Sequence, residues 1–133
     1  MEMVRTAVNA SPYYLHLGMA LVDYDEGKAK FELTIKQHHT NIYGAAHGGA
    51  IASLADSACG LSLATRLTPG QSAVTLDLRV NYTAPVKEGL LVAYGEVVYL
   101  GKTTAVEIAR VTQNGNLVAF ALATHYIKQN APL

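Results

Sequence analysis

The stretch GGAIASLADSACGLSLATR, residues 48 to 66, decides the fold of this chain. Its residues are mostly small or apolar, and Asp56 is its one acidic residue. Because Pro69 and Gly70 follow its end, the pattern predicts a helix from Gly48 to about Arg66. A helix that is nearly uncharged on every side is expected to be buried on every side.

The same stretch is long enough to be mistaken for a membrane span. A carboxylate such as Asp56 at the middle of a bilayer helix costs about 2.5–3.5 kcal/mol, which favours burial in protein instead. The first ten residues include Glu2 and Arg5 and no apolar core, unlike a signal peptide. The single cysteine, Cys59, excludes an internal disulfide and suits a reducing compartment. We therefore expect a cytoplasmic protein.

Apolar and polar residues alternate on both sides of this helix, which predicts strands. Ala29, Phe31, Leu33 and Ile35 share one apolar face, and Val74, Leu76, Leu78, Val80 and Tyr82 share another, opposite Thr75. The predicted strands are Met19–Tyr24, Lys28–Lys36, Val74–Tyr82, Leu90–Leu100, Thr103–Gln113 and Leu117–Ile127. Short turns such as Asn114-Gly115 favour antiparallel pairing.

A short helix at the start of the chain completes the predicted elements. Ser11 and Pro12 suit its first positions, and Gly18 can close it after Leu17 in the left-handed conformation. One sheet has one apolar face to cover, and the chain offers one long apolar helix to cover it. The expected fold is α+β, one domain over residues 1–133, with a curved antiparallel sheet of about five or six strands around a central helix.

The composition bears on partners. Half of the 133 residues are apolar and 15% are charged, which is more apolar than an average soluble domain of this size. We therefore expect a second copy to cover part of the surface, in a homodimer or a homotetramer. Basic and acidic residues balance at ten each, which argues against nucleic acid or an anionic membrane as a partner.

One motif carries a resemblance to a known family. It reads His39-x-Asn41-x-x-Gly44-x-x-His47-Gly48-Gly49, followed by Asp56. In order and spacing it resembles the hotdog-fold acyl-CoA thioesterases of the phenylacetate-pathway (PaaI-type) family. The likeness extends over nearly the whole chain, including VTLDLRVNYTAP at residues 74–85. It implies the hotdog fold and the hydrolysis of acyl-CoA to a free acid and CoA.

Gly48 and Gly49 stand at the start of the predicted helix. The first backbone N–H groups of a helix lack internal partners, and its dipole is positive there. Because glycine lets a ligand approach the backbone, this position can stabilise negative charge on a carbonyl oxygen. The resemblance implies that the Gly48 N–H polarises the thioester carbonyl with the Asn41 amide nearby. The plainer alternative is that the glycines only permit a tight turn.

Asp56 is the candidate catalytic carboxylate. Aspartate is unfavourable inside a helix, and more so among apolar residues. Gly49, Ala52 and Ser53 precede it on the same face, so another chain or a ligand can approach. The resemblance implies that Asp56 activates water or attacks the thioester carbonyl itself, and the sequence does not choose between base and nucleophile. The alternative role is a structural strut.

The spacing of the two candidate groups predicts a shared site. Gly48 and Asp56 lie eight residues apart, which is ~12 Å along a helix. Because reacting groups must approach to ~3–3.5 Å, one thioester carbon cannot meet both in one subunit. We expect Asp56 of one subunit to work with Gly48 and Asn41 of the other, in agreement with the family's dimer-interface site.

The resemblance suggests further site residues. It implies that His47 orients the loop and that Thr75 helps hold the attacking water. Tyr43 is a candidate for lining the acyl pocket, and Arg79 and Lys102 are candidates for binding the CoA phosphates, although surface residues of these types are common.

No metal or cofactor is expected, because His38, His39 and His47 lack the cysteines or carboxylates of a zinc site and CoA is part of the substrate. Cys59 is assigned to packing, and His38 and His125 have no assigned role.

Two other functions fit the fold less well. A hotdog dehydratase needs a catalytic histidine paired with an acid in a different context. A non-catalytic acyl-CoA sensor of this fold tends to carry an added DNA-binding segment, for which the chain has no room. The acyl group stays open between aryl-acyl and medium-chain aliphatic types.

Overall fold

The computed structural model describes residues 2 to 129, which form one curved sheet around one long helix. The helices are α1 (Glu2–Asn9), α2 (Pro12–Leu17) and α3 (Gly48–Ala64), with a short 3₁₀ turn at Gln37–His39. The strands are β1 (Met19–Asp25), β2 (Lys28–Ile35), β3 (Gln71–Tyr82), β4 (Gly89–Leu100), β5 (Thr104–Gln113) and β6 (Asn116–Gln129). The predicted α+β hotdog architecture, with a short N-terminal helix and six strands, is confirmed.

The six strands form one antiparallel sheet in the order β1-β2-β4-β5-β6-β3. The predicted alternation of β2 is confirmed, since Ala29, Phe31, Leu33 and Ile35 are all buried. Asn114 and Gly115 both have positive φ, as a two-residue hairpin turn requires. At the end of α2, Gly18 has a φ of 79° and donates its N–H to the Tyr14 carbonyl at 2.8 Å, which confirms the predicted helix stop.

Helix α1 was not predicted. Its last residue, Asn9, holds it against β1, because the Asn9 side chain accepts the Leu21 N–H at 2.7 Å and donates to the Leu21 carbonyl at 3.0 Å. Val8 packs against the core. The helix therefore depends on contacts with a strand that lies further along the chain. The pattern of its own residues does not predict these contacts.

Helix α3 lies in the curve of the sheet. Its buried face carries Leu54, Ala55, Ala58, Cys59 and Leu63, all with no exposed surface. The helix comes closest to the sheet at β4, where a Cβ atom added to Gly95 would lie 2.1 Å from the Ala58 carbonyl oxygen. The two backbones can approach this closely only because residue 95 has no side chain.

Two expectations about α3 are wrong in detail. The helix ends at Ala64 with Thr65 as its C-cap, so Arg66 lies outside it. It is also not buried on every side in the single chain: the face that includes Ser53, Asp56 and Gly60 stays partly exposed. The side chains on this face are small and mostly uncharged, and the chain's own sheet covers them only in part. None of the helices in residues 2–129 is long and apolar enough to cross a bilayer.

Strand β3 differs from the predicted alternation. It pairs Thr75 with His125 and then Asp77 with Thr124, so Leu76 is an extra residue in a β-bulge. Val74 and Leu76 are therefore 51% and 61% exposed, whereas Leu78 and Val80 pack against the core. The bulge brings Thr75 to the inner side of the sheet, toward α3, instead of the side opposite Leu78.

Candidate active site

The start of α3 offers a free backbone donor. His47 caps the helix: its Nδ1 accepts the Gly49 N–H at 2.8 Å. The N–H of Gly48, the first helical residue, has no hydrogen-bond partner among residues 2–129. Because the dipole of α3 is positive at this end, the Gly48 N–H can stabilise a carbonyl oxygen that becomes negative.

The packing at the start of α3 leaves little room for a side chain at positions 48 and 49. A Cβ atom at Gly48 would lie 3.1 Å from the Tyr82 hydroxyl oxygen, and one at Gly49 would lie 2.9 Å from Nδ1 of His47. The Tyr82 hydroxyl donates to the Gly48 carbonyl at 2.6 Å. Partial burial raises the pKa of Tyr82, so this phenol remains a donor at neutral pH. Sequence reasoning missed Tyr82, because its role depends on where β3 crosses the helix start.

The loop before α3 is held by His39. Its ring is buried, with Nδ1 accepting the Lys36 N–H at 2.9 Å and Nε2 donating to the Leu17 carbonyl at 2.6 Å. Its own carbonyl accepts the His47 N–H at 2.7 Å. His39 is therefore structural, and it fixes the position of the helix start.

The oxygen and the nitrogen of the Asn41 side-chain amide have different environments. Its Oδ1 accepts the Tyr43 N–H at 2.9 Å and the Ala45 N–H at 3.2 Å, which fixes the orientation of the amide. Its Nδ2 donates to no group in the described part of the chain. The loop is thus ordered by the oxygen, and the amide N–H groups remain available to a ligand.

Asp56 lies on the partly exposed face of α3. Its Oδ1 accepts the Thr75 hydroxyl at 3.1 Å, and its other carboxylate oxygen has no partner within residues 2–129. The neighbouring hydroxyls of Ser53 and Ser57 instead donate to the helix carbonyls of Gly49 and Ser53. Asp56 is therefore held at one oxygen and open at the other, as a general base or a nucleophile requires.

Two buried residues continue the contacts of Asp56 into the sheet. The Thr75 oxygen lies 3.0 Å from Nε2 of His125, and Nδ1 of His125 lies 2.5 Å from Oε1 of Glu107. Sequence reasoning gave His125 no role and did not single out Glu107. The available signal was the alternation of β5, which puts Glu107 on the same inward face as Ala105, Ala109 and Val111.

Cys59 lies one turn of α3 beyond Asp56, and it does not act as a nucleophile here. Burial raises the pKa of its thiol, and the carboxylates of Glu107 and Asp56 raise it further. The thiol is therefore protonated at neutral pH, which agrees with its assignment to packing. Among residues 2–129, no group of three or more histidines, cysteines and carboxylates could hold a metal ion.

The single chain does not bring every candidate residue together. Gly48 and Asp56 stand on the same helix, ~12 Å apart along its axis. The 86% exposed Tyr43 lies in the motif loop, Arg79 is exposed on β3, and Lys102 is exposed in the turn between β4 and β5. Their roles toward the acyl group and the CoA phosphates stay predictions.

An open cavity lies near each half of the candidate site. One of about 220 Å³ adjoins the helix start and is lined by Tyr13, Leu17, His39, His47 and Gly49, among others. The other, about 590 Å³, lies one turn beyond Asp56, with Gly60, Leu61, Leu67, Ala73 and His125 in its lining. The site thus consists of an electropositive half at the helix start and a carboxylate half in the middle of the helix.

Comparisons with known proteins identify the family and the fold of this chain. A model of the thioesterase superfamily matches residues 43–120. Human acyl-coenzyme A thioesterase 13 is 30% identical over 132 residues, which cover 95% of this chain and 92% of that protein. A thioesterase structure from Haemophilus influenzae superposes with a TM-score of 0.90 at 21% identity, covering 98% of this chain and 92% of that one. A phenylacetic acid degradation-related protein from Ralstonia eutropha does so with a TM-score of 0.86 at 24% identity, covering 94% and 96%.

Proposed function

This chain belongs to the thioesterase superfamily, whose members include CoA-thioester hydrolases, and on that basis we propose that it hydrolyses acyl-CoA with Asp56 as the catalytic carboxylate. The observation that carries the proposal is the state of Asp56. It is a partly exposed carboxylate inside a helix, with one oxygen fixed by Thr75 and the other free. The second oxygen is therefore open to water or to a thioester, which a general base or a nucleophile needs and a structural strut does not.

The reaction can proceed in either of two ways at this carboxylate. As a general base, Asp56 takes a proton from water while the water oxygen forms a bond to the thioester carbonyl carbon. As a nucleophile, Asp56 itself forms that bond, and water then hydrolyses the resulting anhydride. In both, the C–S bond breaks, the sulfur leaves as the CoA thiolate, and the thiolate gains a proton to give the free thiol.

Stabilisation of the carbonyl oxygen is assigned to the helix start. The Gly48 N–H and the Asn41 Nδ2 group are donors without a partner among residues 2–129, and His47 keeps the helix start in place through Gly49. Since ~12 Å separates this half from Asp56, the complete site needs two subunits. Asp56 of one subunit would then face the partner subunit's Gly48 and Asn41 in a homodimer, alone or within a tetramer.

The proposal extends to the acyl group and to the binding of CoA. The acyl group is aryl-acyl or medium-chain aliphatic, with Tyr43 as a candidate for the pocket that receives it. Arg79 and Lys102 are candidates for the phosphates of CoA, which then lies across the surface of the dimer. No further cofactor is required, because water and the thioester are the only reactants.

A thiol-release assay tests the proposal. Wild-type protein is given phenylacetyl-CoA, hydroxybenzoyl-CoA and octanoyl-CoA, and free CoA is measured with a chromogenic disulfide. We expect turnover of at least one thioester, and Asp56→Asn should lower kcat by about 10²- to 10⁴-fold, as the loss of an acid–base group does. Asp77→Asn, which changes an exposed acid on β3, is the matched control and should keep full activity.

Two results would contradict it. Full activity in Asp56→Asn would remove this residue from the reaction. Binding of all three CoA esters without release of thiol would indicate a protein that senses acyl-CoA instead of hydrolysing it.

A further inference from the structure

Glu107 and His125 form a buried hydrogen-bonded pair directly behind the candidate site. Glu107 has no exposed surface and His125 has 3%. Their 2.5 Å contact continues through the 3.0 Å contact of His125 with Thr75 to the 3.1 Å contact of Thr75 with Asp56. Four polar side chains from α3, β3, β6 and β5 thus form one line that runs from the partly exposed Asp56 and the exposed Thr75 to the buried His125 and Glu107.

The pair is costly for stability alone. A buried carboxylate is stable only when it is well paired, and Oε2 of Glu107 has no hydrogen-bond partner within the described residues. Ala105 and Ala109 on the same face of β5, and Ala123 opposite Glu107 on β6, show that small apolar residues fit this layer. Stability therefore does not explain the glutamate at position 107, and we infer that its role lies in its effect on His125.

A count of hydrogens gives the direction of the contacts. The Thr75 hydroxyl has one hydrogen and two neighbours. When Asp56 is ionised, that hydrogen must point to Asp56, because two oxygens 3.1 Å apart without a hydrogen between them repel. The Thr75 oxygen must then accept, and Nε2 of His125 must carry a hydrogen.

The same count extends to Glu107. Its carboxylate accepts the hydrogen on Nδ1 of His125, so that both ring nitrogens are donors and the imidazole is a cation. This is the one arrangement in which all three contacts are hydrogen bonds while Asp56 and Glu107 are both ionised. The negative charge of Glu107 stabilises the imidazolium, and the imidazolium fixes the direction of the Thr75 hydroxyl.

We propose that Glu107 and His125 are positioning residues for the hydrolysis, acting on Asp56 through Thr75. They direct the Thr75 hydrogen to Oδ1 of Asp56, which fixes the orientation of the carboxylate and leaves its second oxygen available to water or the thioester. The inference rests on the proposed function, since it gives Asp56 its catalytic role.

Glu107→Gln is the variant that tests the proposal. Glutamine has the same shape and can still accept from Nδ1, but it has no charge to stabilise the imidazolium. With the glutamine carbonyl toward Nδ1, the neutral ring keeps its hydrogen on Nδ1, Nε2 accepts from Thr75, and the hydroxyl turns away from Asp56. We expect kcat to fall about 10- to 100-fold with KM unchanged, the size seen when residues that orient a catalytic ligand are lost.

A double-mutant cycle with Thr75→Val separates positioning from simple destabilisation. The valine has no hydroxyl to direct, so Glu107→Gln should add no further loss of kcat in that background. Losses that multiply would show that Glu107 acts by another route and would overturn the proposal. The control is Ser62→Ala, which removes a buried hydroxyl bonded to the Cys59 carbonyl and should alter thermal stability but leave kcat unchanged.

Histidine-selective ¹⁵N spectroscopy gives a readout that does not depend on activity. Both ring nitrogens of His125 should carry protons in the wild type, and Nε2 should lose its proton in Glu107→Gln. His125→Gln identifies the resonances by their absence. A neutral His125 ring in the wild type would contradict the proposal even if both variants were inactive.

The two proposals fail in different ways. If wild type releases no thiol, or if Asp56→Asn retains activity, the proposed function fails. If Asp56→Asn is inactive while folded Glu107→Gln has wild-type kcat, the function stands and the positioning role alone is wrong.

Discussion

At the scale of single residues, the candidate site uses side chains in which one polar atom maintains the structure and another remains available for the reaction. Asn41 is the clearest case, because its oxygen orders the motif loop while its amide nitrogen stays free. Asp56 divides its two oxygens in the same way. Substitutions that preserve one function and remove the other are therefore informative at both positions.

Asn41→Asp should remove activity and keep the fold. The new carboxylate still accepts from the Tyr43 and Ala45 N–H groups, but it has no N–H to donate and repels a developing oxyanion. We expect kcat/KM to fall about 10²- to 10³-fold, the effect of losing one oxyanion donor, with the melting temperature nearly unchanged. Thiol release and thermal unfolding measure the two effects.

The control for this prediction lies in the same loop. Thr40→Val removes the hydrogen bond from the Thr40 hydroxyl to the Gln37 carbonyl and should leave kcat/KM intact. If Asn41→Asp were as active as the wild type, the Asn41 amide would have no part in the reaction.

The sequence predicts residues of this kind unevenly. Asp56 and Gly48 stand out because an acid inside an apolar helix and a glycine pair at its start are each unusual locally. Glu107 and His125 do not stand out, because they lie 18 residues apart on separate strands and gain meaning only when β5 and β6 pair. A polar residue on the buried side of an alternating strand is the signal that could have found Glu107.

At the scale of elements, the contact between α3 and β4 sets the distance from helix to sheet. Gly95 allows the Ala58 carbonyl to approach the strand, and no side-chain movement can relieve a clash between two backbones. This contact fixes the height at which Asp56, two residues before Ala58, faces Thr75.

Gly95→Ala should destabilise the protein strongly. The added Cβ would lie 2.1 Å from the Ala58 oxygen, so α3 would have to move away from the sheet. We expect a loss of about 3 kcal/mol or more in the free energy of unfolding, at or above the usual range for overpacking. Urea denaturation followed by circular dichroism measures it.

Gly60→Ala is the matched control, because it makes the same chemical change on the other side of α3. A Cβ there meets Nε2 of His125 at an ordinary 3.6 Å. Alanine is the better helix former by about 1 kcal/mol, so this variant should be unchanged or more stable. Equal destabilisation by both variants would show that helix position is not set by the contact at Gly95.

Helices and strands were predicted well where the pattern of neighbouring residues defines them. The helix α3 and the six strands follow from periodicity and turn residues. The bulge at Leu76 does not, because the sequence VTLDLRV alternates without a break and only pairing with β6 creates the extra residue. Prediction from alternation alone therefore put Thr75 on the wrong side of the sheet relative to Leu78.

At the scale of the whole molecule, the proposed site is incomplete in a single chain. The half at the helix start and the half around Asp56 are too far apart for one substrate carbon, and the face of α3 between them is partly exposed. A second copy that covers this face would complete two sites at once by symmetry.

Mixing two inactive variants should restore activity. A dimer of Asp56→Asn with Asn41→Ala contains one site with both residues intact and one site with neither. If subunits exchange at random, about a quarter of wild-type activity should return. Thiol release measures the recovery, and native mass spectrometry verifies exchange.

Mixing Asp56→Asn with Asp56→Ala is the matched control, since no combination of these subunits restores the carboxylate. Verified exchange without recovery in the first mixture would mean that each subunit carries its own complete site.

The sealed position of Cys59 has a practical consequence. It is the only thiol in the chain, and it is buried between α3 and the sheet, one turn from Asp56. An alkylating reagent can reach it only when the helix lifts from the sheet, so the rate of labelling reports how often that happens. The protein thus contains its own probe of local opening at the candidate site, which needs no introduced cysteine and no loss of a working residue.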